Sequence, residues 1–169
     1  GGMYYMAHPL FPGCRLFLFR TTNRAPFPFQ GNLSLYPKKI QYILTFLMDK
    51  HVNIIIAGAG GIAEAVGLIL AERSKVSPAI SIGNTTLSKA QDVAQWIEKG
   101  TTRAAKVKAF ELNPKELSGE AIATFRQGDI LLDCLPGGLA PQMARYAKTY
   151  HLHYANLTEY VDETNQILD

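Results

Sequence analysis

The chain has 169 residues, 47% of them hydrophobic and 18% charged, with 2 cysteines and a formal net charge of +3. Such a balance describes one soluble globular domain with room for an appendage, and it excludes collagen-like, disulfide-scaffold and wholly disordered classes. The charge is unevenly spread: residues 1–48 hold five cations (Arg15, Arg20, Arg24, Lys38 and Lys39) and no acid, while residues 49–169 hold 12 cations and all 14 acids.

In chain order, residues 1–50 read as an N-terminal extension. Ten of the 17 aromatics and five of the nine prolines fall in the first 48 positions, which suits an extended arm laying aromatics on apolar surface. A transit peptide would be rich in Ser, whereas Ser34 stands alone here, and residues 16–19 are too short an apolar core for a secretory signal. Interleaved Arg15, Phe17, Phe19, Arg20, Arg24, Phe27 and Phe29 could supply phosphate contacts and base stacking. Five cations without a repeat form a weak footprint, so no nucleic-acid partner is expected. Pro37 suits a helix start, and Ile40, Ile43, Leu44, Leu47 and Met48 follow helical spacing, which predicts an amphipathic helix over residues 38–50. Met48, followed by a few polar residues and an apolar run, reads as a natural start, making residues 3–47 foreign to the domain that follows. No apolar run nears the ~20 residues of a spanning helix, so no membrane partner is expected. Cys14 and Cys134 have neither disulfide nor metal spacing, and a reducing, cytoplasmic setting is the expectation.

Residues 51–169 suffice for a buried core and alternate strand with helix. Residues 52–57 are apolar and rich in β-branched side chains, as in a central parallel strand covered on both faces. They run into Gly58-Ala59-Gly60-Gly61-Ile62-Ala63, a G-x-G-x-x-A turn, and then into a helical pattern of Ile62, Val66, Ile69 and Leu70. In that order the residues suit a dinucleotide: Gly58 permits the tight turn, Gly60 a close approach of the pyrophosphate, and Ala63 tight packing of helix on strand. The helix amides from Gly61 and Ile62 onward would face the phosphates.

The second strand is expected at residues 79–82, with Gly83 closing it. The acid that accepts from an NAD ribose is missing there, since Asn84, Thr85 and Thr86 follow instead. These neutral groups, with Lys89, tolerate a 2′-phosphate, which tilts the expected cofactor toward NADP over NAD. Equally, Asn84 suits a turn, and Thr86 or Ser88 can cap the next helix, Ser88 and Gln91 having capping-box spacing. Further along, a helix is expected over residues 88–98, a strand over 107–110 and a helix opening at Asn113-Pro114 and ending near Gly128. A strand over 129–135, a break at Pro136-Gly137-Gly138, a helix over 140–150 and a strand over 153–157 complete the pattern. The fold class is therefore α/β, a doubly wound parallel sheet of the Rossmann type. Its ligand would cross the carboxyl ends of the strands, at Gly58 to Ala63, Asn84, residues 135–137 and residues 156–158. His151 and His153 lack neighbouring Cys or paired acids and read as structural, so no metal is expected. Asp133 reads as a satisfied structural carboxylate, with a polar residue near the crevice as the alternative, and Cys134 as a small hydrophobe.

Several of these segments together resemble the NAD(P)-binding domain of the saccharopine dehydrogenase family, reductases of imines formed between an amine and a keto acid or aldehyde. The resemblance runs from Val52 to Asp169 and rests on the glycine turn, on Thr86-Leu87-Ser88-Lys89-Ala90 and on Asp129 to Pro136. Its most distinctive part is His153-Tyr154-Ala155-Asn156-Leu157-Thr158-Glu159, similar to that family's HYvDLTE segment with Asn156 in place of Asp. It implies cofactor contacts at Gly58, Gly60, Gly61, Ile62, Ala63, Asn84, Thr85, Thr86, Leu135, Pro136, Gly137, Asn156 and Thr158. Residues 83–90 are also similar to the NRT region of NADP-dependent shikimate dehydrogenases, with Thr85 where those carry Arg.

Family enzymes continue into a substrate-binding domain, and this sequence stops at Asp169, so no catalytic residue can be named. The expectation is an oxidoreductase cofactor half that binds dinucleotide and turns over poorly alone, completed by a complementing substrate domain. The alternative is a non-catalytic dinucleotide-binding module that forms a homo-oligomer.

Overall fold

The computed structural model describes residues 7–11, 14–19, 52–75, 78–157 and 161–168, the first two segments as backbone. The helix expected over residues 38–50 lies outside the described residues, as does Thr158. The elements are β1 (Ala7–Phe11), β2 (Cys14–Phe19), β3 (Val52–Ala57), α1 (Gly61–Arg73), β4 (Pro78–Asn84) and α2 (Leu87–Gly100). They continue with β5 (Lys106–Glu111), α3 (Gly119–Gln127), β6 (Ile130–Asp133), α4 (Ala140–Tyr150), β7 (His153–Asn156) and α5 (Val161–Leu168).

Strands β3 to β7 pair in parallel in the order β5-β4-β3-β6-β7, the expected doubly wound sheet. The chain leaves β3 toward β4 and β5, then returns to the other side of β3 with β6. That reversal makes the β3/β6 boundary the topological switch point, where such sheets bind their ligands. Beyond β7 the sheet gains an antiparallel hairpin, with β2 pairing β7 through Phe17–Asn156, Leu18–Ala155 and Phe19–Tyr154, and β1 pairing β2. The arm expected to lie extended over apolar surface thus joins the sheet at residues 7–11 and 14–19, where it covers the edge that β7 would otherwise expose.

Alternation along β3 explains the two layers. Ile55 and Ala57 point into one core with Phe110, Leu112, Phe125, Leu131, Met143 and Leu152. Ile54 and Ile56 point into the other with Ile80, Ile82, Ala90, Val93 and Ile97. Each fully buried Ile or Leu removes enough apolar surface to contribute about 1.5–3 kcal/mol, which is why an apolar run of six residues becomes the centre of the sheet.

Packing and capping settle the local detail, and two expectations, the cap of α2 and the helix start at Asn113-Pro114, give way to other solutions. Helix α1, expected from its helical pattern, buries Ala63, Gly67 and Ala71 and sets half-buried Val66 and Leu70 against the same core, leaving Ile62 53% and Ile69 60% exposed. Close packing requires a small residue at the point of contact, because a Cβ on Gly67 would stand 2.3 Å from Ile97 Cδ1. Helix α2 begins at Leu87, so Ser88 lies inside it, and Thr86 at the N-cap makes no side-chain cap bond. Asn113-Pro114 opens a turn instead of a helix: Asn113 Oδ1 accepts from Lys115 N at 3.0 Å, and α3 waits for Ser118, whose Oγ accepts from Ala121 N at 3.2 Å. His151 ends α4 in the left-handed conformation, with φ of 58°, and His153 opens β7.

Candidate functional site

The turn after β3 is set by one backbone angle. Gly58 has φ of +114°, a region that side chains with a Cβ rarely adopt, and its N–H donates to Gly83 O at 2.7 Å. A Cβ there would also stand 2.9 Å from Cys134 O, so the turn lies directly against the end of β6. Cys134 N in turn donates to Ala57 O at 2.8 Å. Gly58 therefore lets the chain leave β3 pressed onto the switch point.

Two residues on, Gly60 is the N-cap of α1 and offers no side chain to cap it. The first intrahelical bond runs from Glu64 N to Gly60 O at 3.0 Å, which leaves the amides of Gly61, Ile62 and Ala63 without intrahelical acceptors. Open space surrounds this end, since a Cβ at Gly60 or Gly61 would meet no atom within 4 Å. Aligned peptide dipoles add positive potential there. An uncapped helix start with room for a ligand against its backbone fits a pyrophosphate. Glu64, in the first turn, is an acid that the motif reading passed over.

At the end of β4, Asn84 is half-buried, and Thr85, Thr86 and Lys89 are exposed. Asn84 Nδ2 donates to Thr86 O at 3.2 Å and Asn84 O accepts from Leu112 N at 2.9 Å, so Asn84 shapes the turn while the hydroxyls face outward. No acid stands at this position.

The ends of β6 and β7 carry a buried polar cluster. Ala57, Asp133 and Asn156 stand abreast in the register of β3, β6 and β7. Asp133 is 4% exposed and Asn156 3%. Asp133 Oδ1 accepts from Leu135 N at 3.0 Å, and Oδ2 accepts from Tyr154 Oη at 2.8 Å. Tyr154 Oη also lies 3.1 Å from Ala140 O and receives Asn156 Nδ2 at 3.3 Å. Among the described residues Asn156 Oδ1 finds no hydrogen-bond partner. Burial pushes the Asp133 carboxyl above its usual range, opposed by the bonds from Leu135 and Tyr154. Burial, reinforced by Asp133, pushes the Cys134 thiol up to about 12 and raises Tyr154 as well, so both stay protonated. The loop of Leu135, Pro136 and Gly137 leads from this cluster into α4, and Gly138 N donates to Glu163 on α5.

The sequence-predicted residues therefore fall into three groups along the carboxyl ends of the strands: Gly58 to Ala63 after β3, Asn84 to Thr86 after β4, and Leu135 to Gly137 with Asn156 at β6 and β7. Tyr154 and Asp133 form the cluster that motif reading missed as a unit; period-2 spacing of Tyr154 and Asn156 on a predicted strand was the available signal. Among the described residues no group of His, Cys, Asp and Glu could hold a metal ion.

A parallel sheet of this order, with a glycine turn feeding an uncapped helix at its switch point, defines a Rossmann-like, nicotinamide-dinucleotide-binding domain of oxidoreductase type. Residues 54–169 match the family described as saccharopine dehydrogenase NADP binding domain, and the chain belongs to that family. Among solved structures it is similar to saccharopine dehydrogenase (L-Glu forming) from Saccharomyces cerevisiae, at 19% identity and a TM-score of 0.47, over 60% of this chain and 20% of that one. It is also similar to 5-ketofructose reductase of Gluconobacter sp. strain CHM43, at 26% identity and a TM-score of 0.35, over 55% of this chain and 30% of that one. Lactate dehydrogenase from Cryptosporidium parvum follows at 15% identity and a TM-score of 0.36, over 60% of this chain and 32% of that one. No curated protein matches the sequence. Each of the three structures is several times longer than the part matched.

Proposed function

We propose that this chain is the cofactor half of a saccharopine dehydrogenase-like oxidoreductase, residues 51–169 binding NADP in preference to NAD and residues 1–50 forming an extension. The observation that carries the reading is the uncapped start of α1, set by Gly58 against the switch point and open at Gly60 and Gly61. Gly58, Gly60, Gly61, Ile62 and Ala63 would hold the pyrophosphate through backbone amides. Asn84, Thr85 and Thr86 would meet the adenosine ribose, where hydroxyls without an acid admit a 2′-phosphate. Leu135, Pro136, Gly137, Asn156 and Thr158 would face the nicotinamide half, Asn156 Oδ1 offering an acceptor that the described residues leave unused. The bound nicotinamide supplies hydride chemistry, and this chain binds, orients and shields it. Substrate, an imine or amino acid, would be held by groups from a further domain or polypeptide.

Fluorescence titration of the full chain with NADPH and NADH tests the reading. Saturable binding, tighter for NADPH, is expected; absence of binding to both at millimolar concentration overturns it. A second reading, a non-catalytic module that oligomerises, draws support from the outward apolar residues Ile62 and Ile69 on α1. Light scattering over a dilution series decides it, a monomer at every concentration counting against it.

A further inference from the structure

The cluster at β6 and β7 has a feature that cofactor orientation alone does not require: a buried carboxyl that, among the described residues, has no cation against it. The groups acting on Asp133 are the Leu135 amide, the Tyr154 hydroxyl and the negative charge of Glu163 on α5. Its neighbour Cys134 is a neutral thiol. Desolvation and Glu163 both disfavour a second negative charge here. Hydrogen bonding is compatible with the neutral acid. Tyr154 has one proton and two acceptors in reach, Asp133 Oδ2 at 2.8 Å and Ala140 O at 3.1 Å. If Asp133 carries its own proton it donates to Tyr154, and the hydroxyl proton is free for Ala140 O.

Position gives this carboxyl a task. Asp133 pairs with Ala57, the residue before the glycine turn, and Cys134 touches that turn. In a doubly wound sheet the half bearing the turn and the β4 end takes the adenosine, which leaves the β6 and β7 ends to the nicotinamide. The oxidised ring is a cation and the reduced ring is neutral. Resting on the function proposed above, we infer that Asp133 is a proton-linked counter-charge to the nicotinamide: binding the oxidised cofactor drives its proton to solvent, and binding the reduced cofactor leaves the carboxyl neutral. The balance is one neutral carboxyl and one pyridinium cation going to a carboxylate beside that cation, with one proton released. Asn156, amide in place of acid, keeps a second ionisable group out of the cluster, and Tyr154 donates to the carboxylate once it forms.

The test counts protons. The full chain in weak buffer with a pH indicator is titrated with NADP+ and with NADPH, from mildly acidic to mildly basic pH. The two cofactors carry the same phosphates, so their difference isolates the ring. Within a pH window, NADP+ is expected to release up to one proton more per site than NADPH, and the NADP+/NADPH affinity ratio to rise toward tenfold per pH unit. In D133N the difference vanishes. In Y154F, which lacks a bond favouring the carboxylate, the window moves to higher pH. Wild-type protein that binds both cofactors with equal proton counts at every pH overturns the inference while leaving the proposed function standing, and so does a difference that survives in a folded D133N. Should D133N not fold, the wild-type counts and the Y154F shift decide. Failure to bind either cofactor removes the function and the inference together.

Discussion

The turn after β3 and the ends of β6 and β7 lie side by side in one sheet, yet they are built from opposite materials. At the turn the work is done by missing side chains: Gly58 turns where a Cβ would strike Cys134, and Gly60 and Gly61 leave the helix amides bare. At β6 and β7 side chains fill the space, with Asp133, Tyr154 and Asn156 bonded to one another in a buried row. A backbone site of the first kind depends on φ angles and room. A side-chain cluster of the second kind depends on protonation and on every member finding a partner. The two should therefore fail differently when altered.

The largest effect is expected at Gly58. Val at this position meets both an unfavourable φ, costing about 1–3 kcal/mol, and the Cys134 backbone 2.9 Å from its Cβ. Urea unfolding should show Gly58→Val destabilised by more than strain alone, about 3 kcal/mol or more, with cofactor titration flat. A variant of near wild-type stability would mean that the turn has room to relax and that Gly58 does not set the geometry.

Next comes Tyr154→Phe, which takes one partner from Asp133 Oδ2 and one from Asn156 Nδ2. Unpartnered buried groups cost about 1–3 kcal/mol, so a loss in that range is expected by denaturation. The pH dependence separates this cluster from the turn more cleanly. Because burial raises the Asp133 carboxyl in the fold, the folded chain holds that proton to higher pH than the unfolded chain. Wild type should thus lose stability relative to Asp133→Asn as pH climbs from the ordinary Asp value, about 3.9, through the raised one. A stability difference independent of pH would show that the Asp133 carboxyl titrates alike in the folded and the unfolded chain.

These contrasts also explain what was legible in the residues themselves. The β3 strand, the turn and the parallel sheet could be read because glycine spacing and β-branched runs encode backbone conformation locally. Periodicity marks helix α1 but not the whole of its packed face, where the small residues Ala63, Gly67 and Ala71 lie buried while Ile62 and Ile69 stay exposed. The Asn113-Pro114 pair competed with Ser118 for the helix start, and the Asx turn prevailed. The β6–β7 cluster joins residues 133, 140, 154 and 156 through pairing of two strands, information that no short segment contains. Likewise the pairing of β2 with β7 depends on contacts far apart in the chain.

A smaller effect tests the turn by itself. Gly61→Ala adds a methyl where no atom lies within 4 Å, at the first position of α1. Stability should change by no more than about 0.5 kcal/mol, while the methyl stands where a pyrophosphate would approach. Titration should show affinity reduced on the order of tenfold, about 1.4 kcal/mol. Unchanged affinity would place the phosphates elsewhere along the sheet.

The smallest expected effect is the most discriminating in sign. Glu64 lies in the first turn of α1, where its negative charge complements the positive helix end and so favours the folded chain. That same charge opposes an anionic ligand at the same amides. Glu64→Gln should therefore lower stability by about 0.3–1 kcal/mol and yet tighten dinucleotide binding, by less than about tenfold. Both changes should shrink as salt is raised, since screening acts over roughly 10 Å at 0.1 M. If the ligand bound only at the β6 and β7 ends, the stability loss would remain and the gain in affinity would not. Opposite signs in one variant would tie the phosphates to the start of α1, because a general loosening of the fold weakens binding and stability together.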